Sequence, residues 1–234
     1  MNTFPSGLLV ALCLVSLLLV ACDSPSPQST DLGIFEGQAD VGAVEASGAA
    51  EYDPEAQTYR VTGGGENIWA QEDAFHVVWK RVSGDVLLRA RGMFEGEGAH
   101  DHRKLGWMIR SDLSPDAAHV SAAVHGDGLT ALQYRPATGD STDEIRSSVT
   151  GGDVIQLARE DSTYTMSVAQ AGNPFTRESV SGIALGDSVY VGLFVCSHMQ
   201  GTTETATFRN VRIVKPASDT LTQYEEYLGS RVET

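Results

Sequence analysis

Three groups of side chains in this chain have types and spacings that could support chemistry. His100-Asp-His102 sets two imidazoles at i and i+2. On an extended strand they would share a face and could ligate a metal, but no third ligand is evident from the sequence, and the pattern reads as an exposed polar loop. Glu95 and Glu97 repeat that spacing with carboxylates, but they sit among glycines in Glu-Gly-Glu-Gly-Ala-His-Asp, which reads as a loop. The third group is scattered. In Leu105–Arg110, Ser121–His125, Ala131–Arg135 and Tyr190–His198, a two-residue period puts Arg110, His125, Gln133, Arg135 and His198 on matching faces. If those strands are neighbours in register, the five converge on one concave surface. Planar donors and amides there would suit hydroxyl and carboxylate recognition. The alternative is a buried hydrogen-bond network that only satisfies polar groups inside a sandwich.

Other patterns lead away from catalysis. Gly63-Gly-Gly-Glu-Asn-Ile-Trp69 is rich in glycine but lacks the Lys-Ser/Thr of a phosphate-binding loop and no helix follows, so it reads as a loop anchored in the core through Trp69. No Gly-x-Ser-x-Gly elbow is present. Asp127 belongs to a Gly-Asp-Gly turn, and Cys196, in an apolar run, reads as a small buried hydrophobe. No catalytic residue, cofactor or metal is therefore expected.

The elements that must position these groups are strands. From Leu32 onward the apolar segments are short, rich in β-branched residues and bounded by Gly, Asp, Asn or Pro, and none holds a 3.6-residue period for three turns. Strands are expected near Phe35–Val41, Ala49–Tyr52, Tyr59–Gly63, Phe75–Val82, Val86–Phe94, along the three central stretches, and at Val154–Arg159, Tyr164–Ala169, Val189–Cys196 and Thr205–Val214. In the first long strand Phe75, Val77 and Trp79 alternate with His76, Val78 and Lys80, which reads as half-buried. Ser83-Gly-Asp85 and Glu160-Asp-Ser162 look like hairpin turns, and Thr138–Asp143 a polar loop. Roughly a dozen strands without a long helix exclude an α/β fold and predict an all-β, two-sheet antiparallel sandwich, jelly roll or barrel.

Of 234 residues, 41% are hydrophobic and 20% charged, with a formal net charge of −15. That suits one sizeable domain with a solvated acidic surface and argues against nucleic acid or anionic lipid as a partner of the body. Ahead of it lies an apolar run, Leu8–Val20, broken only by Ser16. As a helix it would reach only ~20 Å, short of a bilayer's ~30 Å core, so it fits a signal peptide and not a membrane span. It ends Leu19-Val-Ala-Cys22, which resembles a bacterial lipobox, and this implies cleavage before Cys22 and lipidation of that cysteine. The segment before the run has no Lys or Arg. Asp23 resembles an inner-membrane retention signal of enterobacterial lipoproteins, but which membrane is meant stays open. The expected organisation is a leader at 1–21, a Pro/Ser-rich linker at 22–31, the sandwich at 32–215 and a tail at 216–234.

Gly65-Glu-Asn-Ile-Trp69, Asp73-Ala-Phe-His-Val-Val-Trp79, His102–Arg110, Ala123-Val-His-Gly-Asp-Gly128, Leu132–Arg135 and Val189–His198 together resemble a bacterial jelly-roll domain of the concanavalin A-like lectin/glucanase superfamily. The branch resembled is the exported module found ahead of TolB-like β-propellers, and the likeness spans about Asp40 to Lys215. It implies a concanavalin A-like jelly roll whose concave face binds sugars. The hydrolases of that superfamily carry Glu-x-Asp-x-x-Glu on one strand, a pattern this chain lacks. Pro216–Arg231 is similar to the connector that leads into the propeller, so this is a stand-alone version or one whose propeller is lost or encoded separately. The expected role is a lipid-anchored cell-envelope module, exported and held to a bacterial membrane through Cys22, that binds carbohydrate without catalysis. The alternatives are a protein-interaction or structural module that meets a propeller protein through its tail and, third, a glycan hydrolase.

Overall fold

In a computed structural model of the chain, Met1 and residues 31–215 are described. The leader with Cys22 and the tail beyond Lys215 lie outside the described residues, as do the expectations of lipidation and of a propeller contact. Sixteen strands follow in order: β1 Gly37–Val41, β2 Ala49–Asp53, β3 Thr58–Gly63, β4 Ile68–Trp69, β5 Glu72–Asp73, β6 Phe75–Ser83, β7 Val86–Phe94 and β8 Lys104–Arg110. Then come β9 His119–His125, β10 Thr130–Arg135, β11 Asp143–Arg146, β12 Val154–Glu160, β13 Thr163–Ala169, β14 Thr176–Ser181, β15 Ser188–Cys196 and β16 Glu204–Val214.

Fourteen of them form two seven-stranded antiparallel sheets, ordered β1-β6-β15-β8-β9-β10-β11 and β14-β13-β12-β7-β16-β3-β2, with β4 and β5 as a separate hairpin. The expected all-β, two-sheet jelly-roll sandwich is what the chain forms. Between the sheets lies the main core. Leu105, Trp107 and Ile109 of β8 and Val189, Val191 and Leu193 of β15 meet Leu88 and Ala90 of β7, Ile155 and Leu157 of β12, and Phe208 of β16. Each fully buried side chain of this size contributes roughly 1.5–3 kcal/mol.

The second sheet behaves as a one-sided sheet should: β12 alternates between buried and partly exposed residues. The first sheet does not. All seven residues of β8 and all seven of β9 are buried, and so are the first four of β6. The half-buried pattern expected for β6 is therefore overturned over Phe75–Val78, because the outer face of its sheet is covered too. A second apolar cluster lies there: Val41, Ile68, Phe75, Val77, Met108, Ala123, Phe194 and Cys196. Its cover is the excursion between β3 and β6 that carries the β4–β5 hairpin and supplies Ile68.

Close approach at two glycines makes this cover fit. Gly65 has φ +101°, and a Cβ there would lie 2.0 Å from the Ala74 carbonyl oxygen, where the two ends of the excursion meet. At Gly106, in the middle of β8, a Cβ would lie 1.9 Å from the Ala122 carbonyl oxygen and 3.2 Å from the Phe194 ring.

A candidate binding depression beside a sealed arginine network

Register places the polar residues of the first sheet in rows across its outer face. Arg110 of β8 pairs with His119 of β9, which pairs with Arg135 of β10. Met108, Ser121 and Gln133 form the next row, and Lys104 sits opposite His125. The expected parity is what the sheet shows: Arg110, His125, Gln133 and Arg135 share one face, with Leu105, Trp107 and Ile109 on the other.

That face is closed over its arginines. Arg110 and Arg135 are 1% and 0% exposed. Asp73 of β5 sits on them: Arg135 donates to Asp73 Oδ1 at 2.6 Å and to Oδ2 at 2.9 Å, and Arg110 donates to Oδ2 at 3.4 Å. Remaining donors reach carbonyls. Arg135 bonds the oxygens of Ala70, Ala117 and Asp140, and Arg110 those of Asp112 and Ser114. Two buried guanidiniums on one carboxylate would be costly without these bonds, since a buried charge needs nearly every donor satisfied. Burial pushes the Asp73 carboxyl above its ordinary range, while Arg135 and Arg110 pull it back. Burial, together with the charges of Arg110, Arg135 and Lys104, holds His119 between them well below its ordinary pKa and therefore neutral. Gln133 is also sealed and donates to Glu144 at 3.1 Å. With the cover in place, Arg110, Gln133 and Arg135 present no atoms to a ligand.

Lys104 is the second tether of the cover. Its ammonium donates to Asn67 Oδ1 at 2.7 Å and to the Ile68 carbonyl at 3.0 Å, and it lies 5.7 Å from the centre of the Trp69 ring. Burial pulls its pKa down to about 8. Alternation in β4 turns Ile68 inward and Trp69 outward, so the anchor of this loop is Ile68 and Trp69 remains 37% exposed. The expectation of a core anchor at Trp69 is overturned for that reason.

Beside Trp69 the cover leaves a depression of about 450 Å³. Trp69, Glu66, Asn67, Glu72, His100, His198 and Gln200 line it, with Pro115 and the backbone of the Gly42–Ala43 turn. His198 is the one expected site residue that reaches it. Side-chain bonds join its walls: Gln200 donates to Glu66 at 3.3 Å, and Ser197 Oγ donates to the Gly65 carbonyl at 3.0 Å. His125 stands to the side, 4% exposed, with Nδ1 donating to the Leu129 carbonyl at 2.9 Å. Asp127 accepts from the Leu129 N–H at 2.9 Å, which is the turn role expected for it. Cys196 is fully buried, and burial pushes its thiol up to about 11, so it is not a nucleophile at neutral pH.

Asp73, Lys104 and the exposed face of Trp69 were not legible as site features. Asp73 and Lys104 gain meaning only when the excursion folds back across the sheet. A signal did exist in the apolar residues on both faces of β8 and β9, Leu105, Trp107 and Ile109 on one and Met108 and Ala123 on the other, which implied a covered outer face and hence partners for any charge on it.

No protein-family model and no curated protein sequence matches the chain. Among solved structures, a functionally unknown protein from Saccharomyces cerevisiae aligns with a TM-score of 0.55 at 16% identity, over 75% of this chain and 100% of that one. The carbohydrate-binding module CBM66 from Bacillus subtilis aligns at 0.47 and 14%, over 78% and 98%. A β-glucanase from Bacillus licheniformis aligns at 0.42 and 7%, over 76% and 92%. At 16% identity the likeness to the yeast protein is one of fold.

Proposed function

We propose that this chain is a non-catalytic glycan-binding module, exported and anchored through a lipidated Cys22, and that its ligand seats in the depression beside Trp69. The observation that carries this is the depression itself: a half-exposed indole next to carboxylate, amide and imidazole groups that face solvent. An aromatic face takes the apolar side of a sugar ring, and amides and carboxylates take its hydroxyls. Glu66 and Glu72 make the walls acidic, and the chain carries −15 overall, so a neutral glycan is favoured over a uronic acid. In this reading His198 touches ligand. Arg110, Gln133 and Arg135 hold the floor on which Trp69 rides, and His125 supports the neighbouring rim.

A glycan array with the purified chain, followed by titration of the best neutral hit, tests this. Trp69→Ala is expected to weaken binding at least ten-fold while leaving the unfolding midpoint close to that of the parent. Equal affinity in Trp69→Ala, or binding confined to acidic glycans, would overturn it.

A further inference from the structure

Four of the six histidines in the chain gather at one rim of the sandwich, brought there by three separate segments. His100 and His102 come from the β7–β8 loop, His125 from the end of β9 and His198 from the turn after β15. The ring centroids of His100, His102 and His198 form a triangle with sides of 4.4, 5.6 and 5.7 Å. Two imidazoles that share one ion at a metal–nitrogen distance of about 2.0–2.1 Å have centroids roughly 4.5–6 Å apart. The triangle therefore already has the spacing of three ligands around a single ion.

We propose that His100, His102 and His198 form a binding site for a divalent transition-metal ion of the zinc, cobalt or nickel kind. This replaces the expectation, drawn from the sequence, that the chain binds no metal. Imidazole is a donor of choice for such ions. Among the described residues no three His, Cys, Asp or Glu side chains are already aimed at one point in a way that could hold a metal. The spacing is set but the nitrogens are not, and rotation of the rings closes the site. His102, with its side chain 52% exposed, has room to turn.

Other features favour a ligand here. His198 Nδ1 is buried and has no hydrogen-bond partner among the described residues, although buried ring nitrogens are ordinarily partnered. The His198 backbone is left-handed, φ +58°, an unusual conformation for a residue other than glycine, and it is fixed by Ser197, which bonds both Gly65 and Met199. Asp127 Oδ2 lies 3.8 Å from His102 Nδ1, an acidic neighbour for a bound cation though too far for a hydrogen bond in the present ring position. The loop that carries His100 and His102 is pinned by the buried Arg103–Glu204 pair at 2.7 Å and by the Gly126 and Asp127 amides, which donate to the Arg103 and Asp101 carbonyls.

The test is titration of tag-free, chelator-stripped full chain with Co²⁺ and then Zn²⁺. One ion per chain is expected, with a Co²⁺ visible spectrum of nitrogen ligation that Zn²⁺ displaces. Binding should weaken at least ten-fold in both His102→Gln and His198→Gln. Should a variant fail to fold, ¹⁵N spectra of the imidazoles in the parent chain decide: Zn²⁺ must shift the ring nitrogens of His100, His102 and His198 and leave those of His76 and His119 in place. No binding below millimolar metal, unchanged affinity in both variants, or shifts confined to other histidines would overturn the proposal. Glycan binding is a separate readout and can fail without touching this one.

Discussion

Asp73 and Arg135 lie 62 positions apart in the chain and meet in a two-bonded pair in which neither side chain has any exposed surface. Through that pair the β4–β5 hairpin is fastened across the outer face of the first sheet. The position of Trp69, and so the shape of the depression, depends on it.

Asp73→Ala leaves two buried guanidiniums without their carboxylate. Breaking a buried pair from one side costs about 3–5 kcal/mol. We expect a loss of that size in denaturant unfolding, together with faster proteolysis within residues 64–74. Arg60→Ala breaks a pair whose side chains are 50% and 40% exposed, and it should cost under ~1 kcal/mol. Similar losses in the two variants would mean that the hairpin is not held by its charge.

Lys104→Met keeps most of the side-chain volume and removes the donor that holds Asn67 and the Ile68 carbonyl. Asn67 Oδ1 keeps the Ile68 N–H at 2.9 Å, so the loss falls mainly on the Ile68 carbonyl and is expected to cost about 1–3 kcal/mol. Hydrogen exchange should quicken at the amides of β4 and β5 and stay unchanged in β12 and β13, where the sheet is undisturbed. Uniform quickening across both sheets would count against a local tether.

Much of this fold could be read from the sequence, and the reason is periodicity. The two-residue alternation of β8, β9 and β10 put Arg110, His125, Gln133 and Arg135 on one face, and the registers place them there. The hairpin Ile68–Asp73 was not readable. Its strands are two residues long, its turn falls at Ala70-Gln71 with Ala70 at φ +50°, and no Asn-Gly or Asp-Gly announces it. Long-range bonds hold it: Thr142 donates its N–H to the Ala70 carbonyl at 2.8 Å, and Asp73 donates its N–H to the Pro115 carbonyl at 2.8 Å. β14 escaped for another reason. Thr-Arg-Glu-Ser-Val-Ser has little apolar content because it is an edge strand, stitched to β13 by hydroxyl pairs such as Thr165–Ser179 at 2.9 Å. The histidine triangle shows the same limit, since periodicity carries no information about which loops meet at a rim.

Gly106→Ala tests the fit of the cover from below. The added methyl must push against the Ala122 backbone and the Phe194 ring, and overpacking against a backbone carbonyl belongs at the upper end of such costs, about 3 kcal/mol or more. The midpoint of thermal unfolding should fall accordingly. Gly84→Ala, where nothing lies within 4 Å but φ is +69°, isolates the cost of a left-handed backbone alone, about 1–2 kcal/mol. Equal effects at the two sites would argue against close contact at Gly106.

Acid should weaken the fold through its histidines. Burial, the larger cause, and then Lys104 bring His125 down to about 4 from 6.5. His76, His119 and His198 are lowered as well. A group whose folded pKa is depressed binds its proton more readily when unfolded. Its stabilisation is therefore complete above pH 6.5 and drains away as pH falls toward 4. Unfolding midpoints measured with a chelator present should drop across that window, and His125→Gln should flatten the drop. A flat profile between pH 6.5 and 4 would rule out this coupling.

The order of the strands also governs when the molecule can come into being. β15 stands between β6 and β8 in one sheet, and β16 between β7 and β3 in the other. Until these two late strands are available, each sheet is two half-sheets with a gap at its centre. The sandwich thus stays open until β15 and β16 are available, and their two insertions close both layers. Assembly that waits on pairings so distant in sequence is slow.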